Sequence, residues 1–128
     1  MARLLIVDDE PTLVFLMRTI LEHAGHSVEE AANGQEALAK LGVEPDNPDA
    51  VLPDLMLLDV MMPIVDGITV ASTLRDHPRA GKLPILVITA KGDLRALFEA
   101  MPQVAGFFHK PFDPKSLREA VLKVVLPK

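Results

Sequence analysis

Carboxylates, a hydroxyl and an ammonium group stand at comparable places along this sequence, each just after a short apolar run. Asp8, Asp9 and Glu10 follow Leu4-Leu5-Ile6-Val7, and Asp59 follows Leu55-Met56-Leu57-Leu58. Thr89 follows Ile85-Leu86-Val87-Ile88, and Lys110 comes just after the apolar stretch Val104 to Phe108. Carboxylates gathered at one point repel each other unless a cation compensates. Oxygen donors of this kind suit Mg²⁺, which takes one or two carboxylates, waters and phosphate oxygens in an octahedron. A hydroxyl and an ammonium nearby are what an arriving phosphoryl group needs. A carboxylate can also act as the nucleophile and form an aspartyl phosphate. The residue types therefore point to Mg²⁺-dependent phosphoryl acceptance, if one edge of the fold gathers them.

The elements around these residues make such an edge. Apolar residues at Leu13, Leu16, Met17, Ile20, Leu21 and Ala24 follow helical spacing over Thr12 to Ala24. Pro11 suits the first turn of that helix and Gly25 its stop. Ser27 to Ala31 reads as a weak strand with one strong β-former, Val28. Asn33 with Glu36 gives a capping-box pattern before a helix faced by Ala37, Leu38 and Leu41 and ended by Gly42. Residues 43–53 carry prolines at 45, 48 and 53 and read as a loop. Asp66 is placed to cap a helix with Ile68, Ala71 and Leu74 inward, and Asp93 one with Leu94, Leu97, Phe98 and Met101 inward. Asp113-Pro114 opens a last helix with Leu117, Val121 and Val124 or Val125 inside. Strands as continuous apolar runs, alternating with helices, imply a parallel sheet covered on both faces. In such a sheet, ligands bind outside the carboxyl ends of the strands, where all the singled-out residues fall.

Composition narrows the class. The 128 residues make one domain, long enough to bury roughly two thirds of the unfolded chain's surface. A net charge of −5 argues against a dedicated nucleic-acid binder and against a polybasic membrane anchor. With no cysteine, there are no disulfides, thiolate nucleophiles or Cys-ligated zinc, and a reducing, cytoplasmic location is expected. The N-terminal apolar run is too short for a signal-peptide core, and no apolar stretch is long enough to span a membrane. The 11 prolines fall mostly between periodic segments, as punctuation. His23 and His26 flank Gly25 with no third ligand in view, so a zinc site is not expected.

The pieces Leu5-Ile6-Val7-Asp8-Asp9-Glu10, Leu57 to Pro63 with Asp66-Gly67, Ile88-Thr89-Ala90 and Lys110-Pro111-Phe112 together resemble the receiver domains of two-component response regulators. The resemblance covers essentially the whole chain and implies a flavodoxin-like (βα)5 fold with strand order 2-1-3-4-5. It implies that Asp59 accepts a phosphoryl group from a phosphohistidine of a sensor histidine kinase or histidine phosphotransfer protein. Asp8, Asp9, Asp59 and the backbone carbonyl of Met61 would hold Mg²⁺. Lys110 would pair with the Asp59 carboxylate and then with the phosphoryl oxygens. Thr89 would hydrogen-bond the phosphoryl group and draw its loop inward, while Phe107 matches the aromatic that swings inward on switching. The side chain at position 61 and Lys91 would border the phosphoryl group and affect its lifetime, and the Lys110–Pro111 bond would be cis. The face formed by the fourth predicted helix, the fifth strand and the last helix would change, alter binding of a downstream effector protein and support a transient homodimer. The domain would assist its own phosphorylation and dephosphorylation without being a turnover enzyme.

Taken singly, these residues have ordinary explanations: a charged helix start for Asp8-Asp9-Glu10, a turn residue at Asp59, a solvated Lys110, a strand end at Thr89. Joint placement at successive strand ends outweighs them. Phe107 and Phe108 are adjacent in a strand and must face opposite ways, so packing alone accounts for at least one. His109 is expected to point outward. An Asp-nucleophile phosphatase of the haloacid-dehalogenase type wants a second acid two residues after the nucleophile, where Met61 stands. A phosphorylation-independent pseudo-receiver would lack Asp59, Lys110 or the Asp8–Asp9 pair, all of which are present. No output domain is expected within residues 1–128. A stand-alone, chemotaxis-type receiver and a receiver portion of a longer protein both fit. The loop at 43–53, longer than expected, belongs to the edge opposite the acceptor.

Overall fold

A computed structural model of the chain describes residues 2–60, 67–89, 103–109 and 113–125. Five parallel strands, β1 (Arg3–Val7), β2 (Ser27–Ala31), β3 (Leu55–Asp59), β4 (Ile85–Thr89) and β5 (Val104–His109), lie in the order β2-β1-β3-β4-β5. Described helices are α1 (Pro11–His23), α2 (Gly34–Lys40), α3 (Gly67–Arg75) and α4 (Pro114–Val125). This is the expected doubly wound order. The helix expected after Asp93, the Asp66 cap and the Lys110–Pro111 bond lie outside the described residues.

Alternation along the central strands builds two cores. Leu5, Val7, Met56 and Leu58 face α2 and α3 through Leu38, Val70 and Leu74. Leu4, Ile6, Leu55 and Leu57 face α1 and α4 through Met17, Leu21, Leu117 and Val121. Because both faces are covered, β3 is buried along its whole length, and no polar residue fits before its last position.

Helix ends follow the punctuation. Pro11 occupies the first turn of α1. Gly25, at φ 99°, closes α1, with its own N–H on Glu22 O at 3.0 Å and that of His26 on Leu21 O at 3.1 Å. Gly42, at φ 73°, closes α2 in the same pattern through Ala39 O and Leu38 O. Asn33 Oδ1 accepts from Glu36 N at 2.8 Å, as a cap should. Asp113 Oδ1 accepts from Ser116 N at 3.2 Å, and this bonding to Ser116 holds the Asp113 carboxyl below its ordinary value.

Two expectations are corrected. The buried stripe of α1 is Val14, Met17, Ile20 and Leu21, and Leu16 stands 47% exposed. Both stripes satisfy 3.6-residue spacing, and the core that holds Met17, Ile20 and Leu21 takes in Val14 and leaves Leu16 outside. The last strand reaches His109, one residue past the expected Phe108. The 43–53 segment is a loop as expected, with no helix or strand between α2 and β3, and within it Val43 is buried and forms an isolated antiparallel bridge with Asp46. Arg79 clasps it from the turn after α3, donating to Gly42 O at 2.8 Å and Asp46 Oδ1 at 3.2 Å. His77 Nε2 lies 3.4 Å from the same carboxylate oxygen.

His26 belongs to the core. It is 7% exposed, and its Nδ1 accepts from Ala2 N at 3.3 Å beside the start of β1. Burial, aided by the positive N-terminus, pushes its pKa below the ordinary histidine value. The unfolded chain therefore binds the proton more readily, so stability is full above about pH 6.5 and falls as pH drops through it. Urea titrations between about pH 8 and pH 5.5 are expected to show this decline, with a shallower slope in His26→Gln. An equal slope in the two proteins removes His26 as its source.

Candidate functional site

The acidic cluster follows from strand register. β1 and β3 are neighbours with Val7 opposite Leu58, so the next residue on each strand, Asp8 and Asp59, emerges at the same edge. One carboxylate oxygen from each of Asp8, Asp9 and Asp59 lies within 4.8 Å of the others. Asp8 is 2% exposed and Asp59 3%, while Asp9 is open to solvent. Backbone groups hold the two buried members. Asp8 Oδ1 accepts from Glu10 N at 2.9 Å, and Asp8 N donates to Ala31 O at 3.1 Å. Behind Asp59, Val60 N donates to Ile88 O at 3.2 Å and Val60 O accepts from Gly67 N at 3.0 Å.

Like charges this close repel by roughly 1 kcal/mol per pair at 4 Å in water and about 4 kcal/mol at an effective dielectric of 20. A cation among them reverses the sign. All three donors are carboxylate oxygens, with no imidazole or thiolate, which selects a hard cation of the Mg²⁺, Mn²⁺ or Ca²⁺ type.

The other singled-out positions fall on the same edge by topology. Asp59 pairs with Ile88, which puts Thr89, the last residue of β4, at the edge. Thr89 in turn pairs with His109, the residue before Lys110. The side chains of Thr89 and His109, and Met61, Lys91 and Lys110 entirely, lie outside the described residues. Phe107 and Phe108 are both half-buried and face opposite ways as expected, Phe107 toward the α2–α3 core and Phe108 toward the α1–α4 core.

A groove next to the cluster was not read from the sequence. It has a volume of about 410 Å³ and runs between the starts of α1 and α2, lined by Asp8, Asp9, Pro11, Val14, Phe15, Glu30, Ala31, Ala32 and Glu36. Phe15 is 71% exposed there. Its signal was an aromatic lying outside the buried stripe of an amphipathic helix.

Residues 4–122 match the family model described as response regulator receiver domain. The transcriptional regulatory protein ResD of Bacillus subtilis (strain 168) is 40% identical over 129 residues, covering 95% of this chain and 46% of the relative. The chain thus spans less than half the length of that relative. Among solved structures, the chemotaxis protein CheY4 of Vibrio cholerae has a TM-score of 0.83 at 30% identity, with 97% of this chain and 98% of that one covered. The response regulator TrrA of Thermotoga maritima, solved in complex with Mg²⁺-BeF, has a TM-score of 0.81 at 30% identity, with 97% and 99% covered.

A divalent cation is expected to stabilise the folded chain through these carboxylates, by about 2.7 kcal/mol at a hundred times its Kd. Thermal melts in Mg²⁺ against chelator give the difference. In Asp9→Asn the Mg²⁺ effect should shrink strongly, while the melting point in chelator rises because one repelling charge is gone. A Mg²⁺ effect of unchanged size in Asp9→Asn would show that the cation binds elsewhere.

Proposed function

The chain belongs to the response regulator receiver domain family of two-component systems, and on that basis we propose that it is a phosphorylation-dependent switch with Asp59 as its acceptor. The observation that carries this reading is the convergence of Asp8, Asp9 and Asp59 within 4.8 Å at the carboxyl edge of a parallel sheet. The phosphodonor is a phosphohistidine on a sensor histidine kinase or a histidine phosphotransfer protein. A carboxylate oxygen of Asp59 attacks phosphorus, the phosphorus–nitrogen bond breaks as the phosphorus–oxygen bond forms, and the imidazole leaves.

Asp8, Asp9, Asp59 and the carbonyl of Met61 are the proposed ligands of Mg²⁺. Bound there, the ion would offset the charge on the phosphoryl oxygens. Lys110 supplies a point charge to the same oxygens, and the Thr89 hydroxyl donates to them. Catalysis in this scheme is positioning plus electrostatics, so the chain assists its own modification without being a turnover enzyme. The Asp8 carboxylate, oriented by the Glu10 N–H, and the Asp59 carboxylate, set at a strand end, need little reorganisation to serve.

Phosphorylation adds roughly −1.5 to −2 charge at this edge. The proposed response is a population shift of β5 with Phe107, of α4, and of the helix expected after Asp93, which changes contact with an effector protein or a second copy of the chain. Residues 1–128 act together as a single receiver domain in this proposal, in the cytoplasm. With a net charge of −5, direct nucleic-acid contact by these residues is not part of it.

Intact mass after incubation with acetyl phosphate and Mg²⁺ tests the proposal. The expected outcome is one phosphoryl adduct in wild type and none in Asp59→Asn or with chelator. Beryllofluoride, which mimics the bound phosphoryl group without hydrolysing, covers the case of a short-lived adduct. No adduct and no beryllofluoride binding would sink the switch reading.

A further inference from the structure

The backbone just after Asp59 is gripped from two sides, and on one side the grip requires a glycine. Val60 N donates to Ile88 O on β4 at 3.2 Å, and Val60 O accepts from Gly67 N, the first residue of α3, at 3.0 Å. Both polar groups of Val60 are therefore committed, one to the neighbouring strand and one to the helix start. Gly67 approaches so closely that a Cβ built on it would collide with the Asp59 carbonyl oxygen. It would also lie 2.8 Å from Val60 Cα and 3.1 Å from the Asp59 carbonyl carbon. The obstructing atoms are all backbone, so no rotamer change relieves the clash.

We propose that Gly67 is a positioning residue for Asp59: its lack of a side chain lets the first turn of α3 press on the Asp59–Val60 peptide and fix the carboxylate against Asp8 and Asp9. The inference rests on the reading of Asp59 as acceptor and metal ligand and adds what holds it there.

The displacement caused by a methyl group at position 67 has only one easy direction. α3 resists it, because Val70, Ala71 and Leu74 are fully buried in the core and Ala71 O accepts from Gln103 Nε2 at 3.1 Å. β3 resists it as far as Leu58, which is paired with Val7 on one side and Val87 on the other. The ladder with β1 ends at Leu58 while that with β4 continues to Asp59, so the peptide after Asp59 is where the strand yields, and it takes the side chain with it. Mg²⁺ demands near-ideal geometry at about 2.0–2.1 Å, and a misplacement of about 1 Å at a reacting group can cost about 100-fold.

The test compares Gly67→Ala with Gly81→Ala. Gly81 is a control of the same kind in the turn after α3, where a Cβ would meet His77 O at 2.9 Å and Arg75 O at 3.0 Å, away from the cluster. Mg²⁺ affinity is read by calorimetry, since the chain has no tryptophan to report binding. Measurements are made well below the melting point of each protein, alongside the rate of adduct formation with acetyl phosphate. Gly67→Ala is expected to lose about tenfold or more in Mg²⁺ affinity and in rate, while Gly81→Ala stays within about twofold of wild type even if its melting point falls as far. Val70→Ala, which loosens the anchor of α3 without adding a clash, is expected to weaken Mg²⁺ binding in the same direction and keeps the test open if Gly67→Ala does not fold. Wild-type affinity in folded Gly67→Ala, or in Val70→Ala where only that variant folds, overturns the inference. Equal losses in Gly67→Ala and Gly81→Ala also overturn it. A wild type that binds no Mg²⁺ overturns the reading of the site and this inference with it, which separates the two failures.

Discussion

The central strands leave no room for polar chemistry along their length. β1 from Leu4, β3 throughout and β4 to Ile88 are buried on both faces, and their side chains divide between two apolar cores. An uncompensated carboxylate inside either core would cost several kcal/mol. At the strand ends a carboxylate, though still buried, finds backbone donors such as Glu10 N in place of apolar side chains, and parallel pairing puts those ends together. Asp8 and Asp59 are crowded because β1 and β3 end in register, and they stay crowded because the sheet beneath them is too well packed to yield. The acidic cluster is thus a consequence of hydrophobic packing. Its electrostatic strain is carried by the burial of leucines and valines several residues away.

This dependence explains what was legible in the sequence. Apolar runs that each end in a charge or hydroxyl announce both the sheet and its functional edge, so residue order alone groups Asp8, Asp9 and Asp59. Glycine and proline punctuation marked the ends of α1 and α2, because Gly25 and Gly42 do what positive-φ glycines do. The choice of Val14 over Leu16 was not legible, since helical periodicity admits both stripes and only the packing around α1 decides between them. His26 was hidden for a different reason. A lone histidine carries no sign of burial, and its partner, the Ala2 N–H, lies 24 residues away.

Long separation also hid the clasp at the opposite edge. Arg79 reaches Gly42 O across 37 residues and Asp46 across 33, and local signals gave only the loop prolines at 45, 48 and 53. Asp46 and Arg79 are partly solvated, so their charge attraction contributes little. The more telling bond is the one from Arg79 to Gly42 O, which ties the turn after α3 to the backbone end of α2. Gly67 shows the limit in another form. Its identity is plain in the sequence, while the reason for it, a backbone carbonyl pressed against its α-carbon, exists only in three dimensions.

These constraints fall unevenly on the sheet, and the unevenness bears on where a switch can operate. β1, β3 and β4 are each paired on both sides, whereas β5 is an edge strand held by β4 alone. The β4–β5 register shifts between Ile85 and Leu86, where Val104 and Gly106 are the successive partners, and leaves Ala105 as the extra residue. Val104, Phe107 and Phe108 are only half-buried, in contrast to the buried residues of β4 opposite them. Moving a fully buried strand would open cavities at tens of calories per Å³, while moving β5 exchanges partly solvated contacts on each face. Phe107 and Phe108 touch different cores, so one displacement of β5 is felt by both helical layers. In the proposed switch, a charge added at Asp59 would meet a fully buried β3 and a half-buried edge strand β5. That contrast supports a reading in which the first holds the site and the second responds.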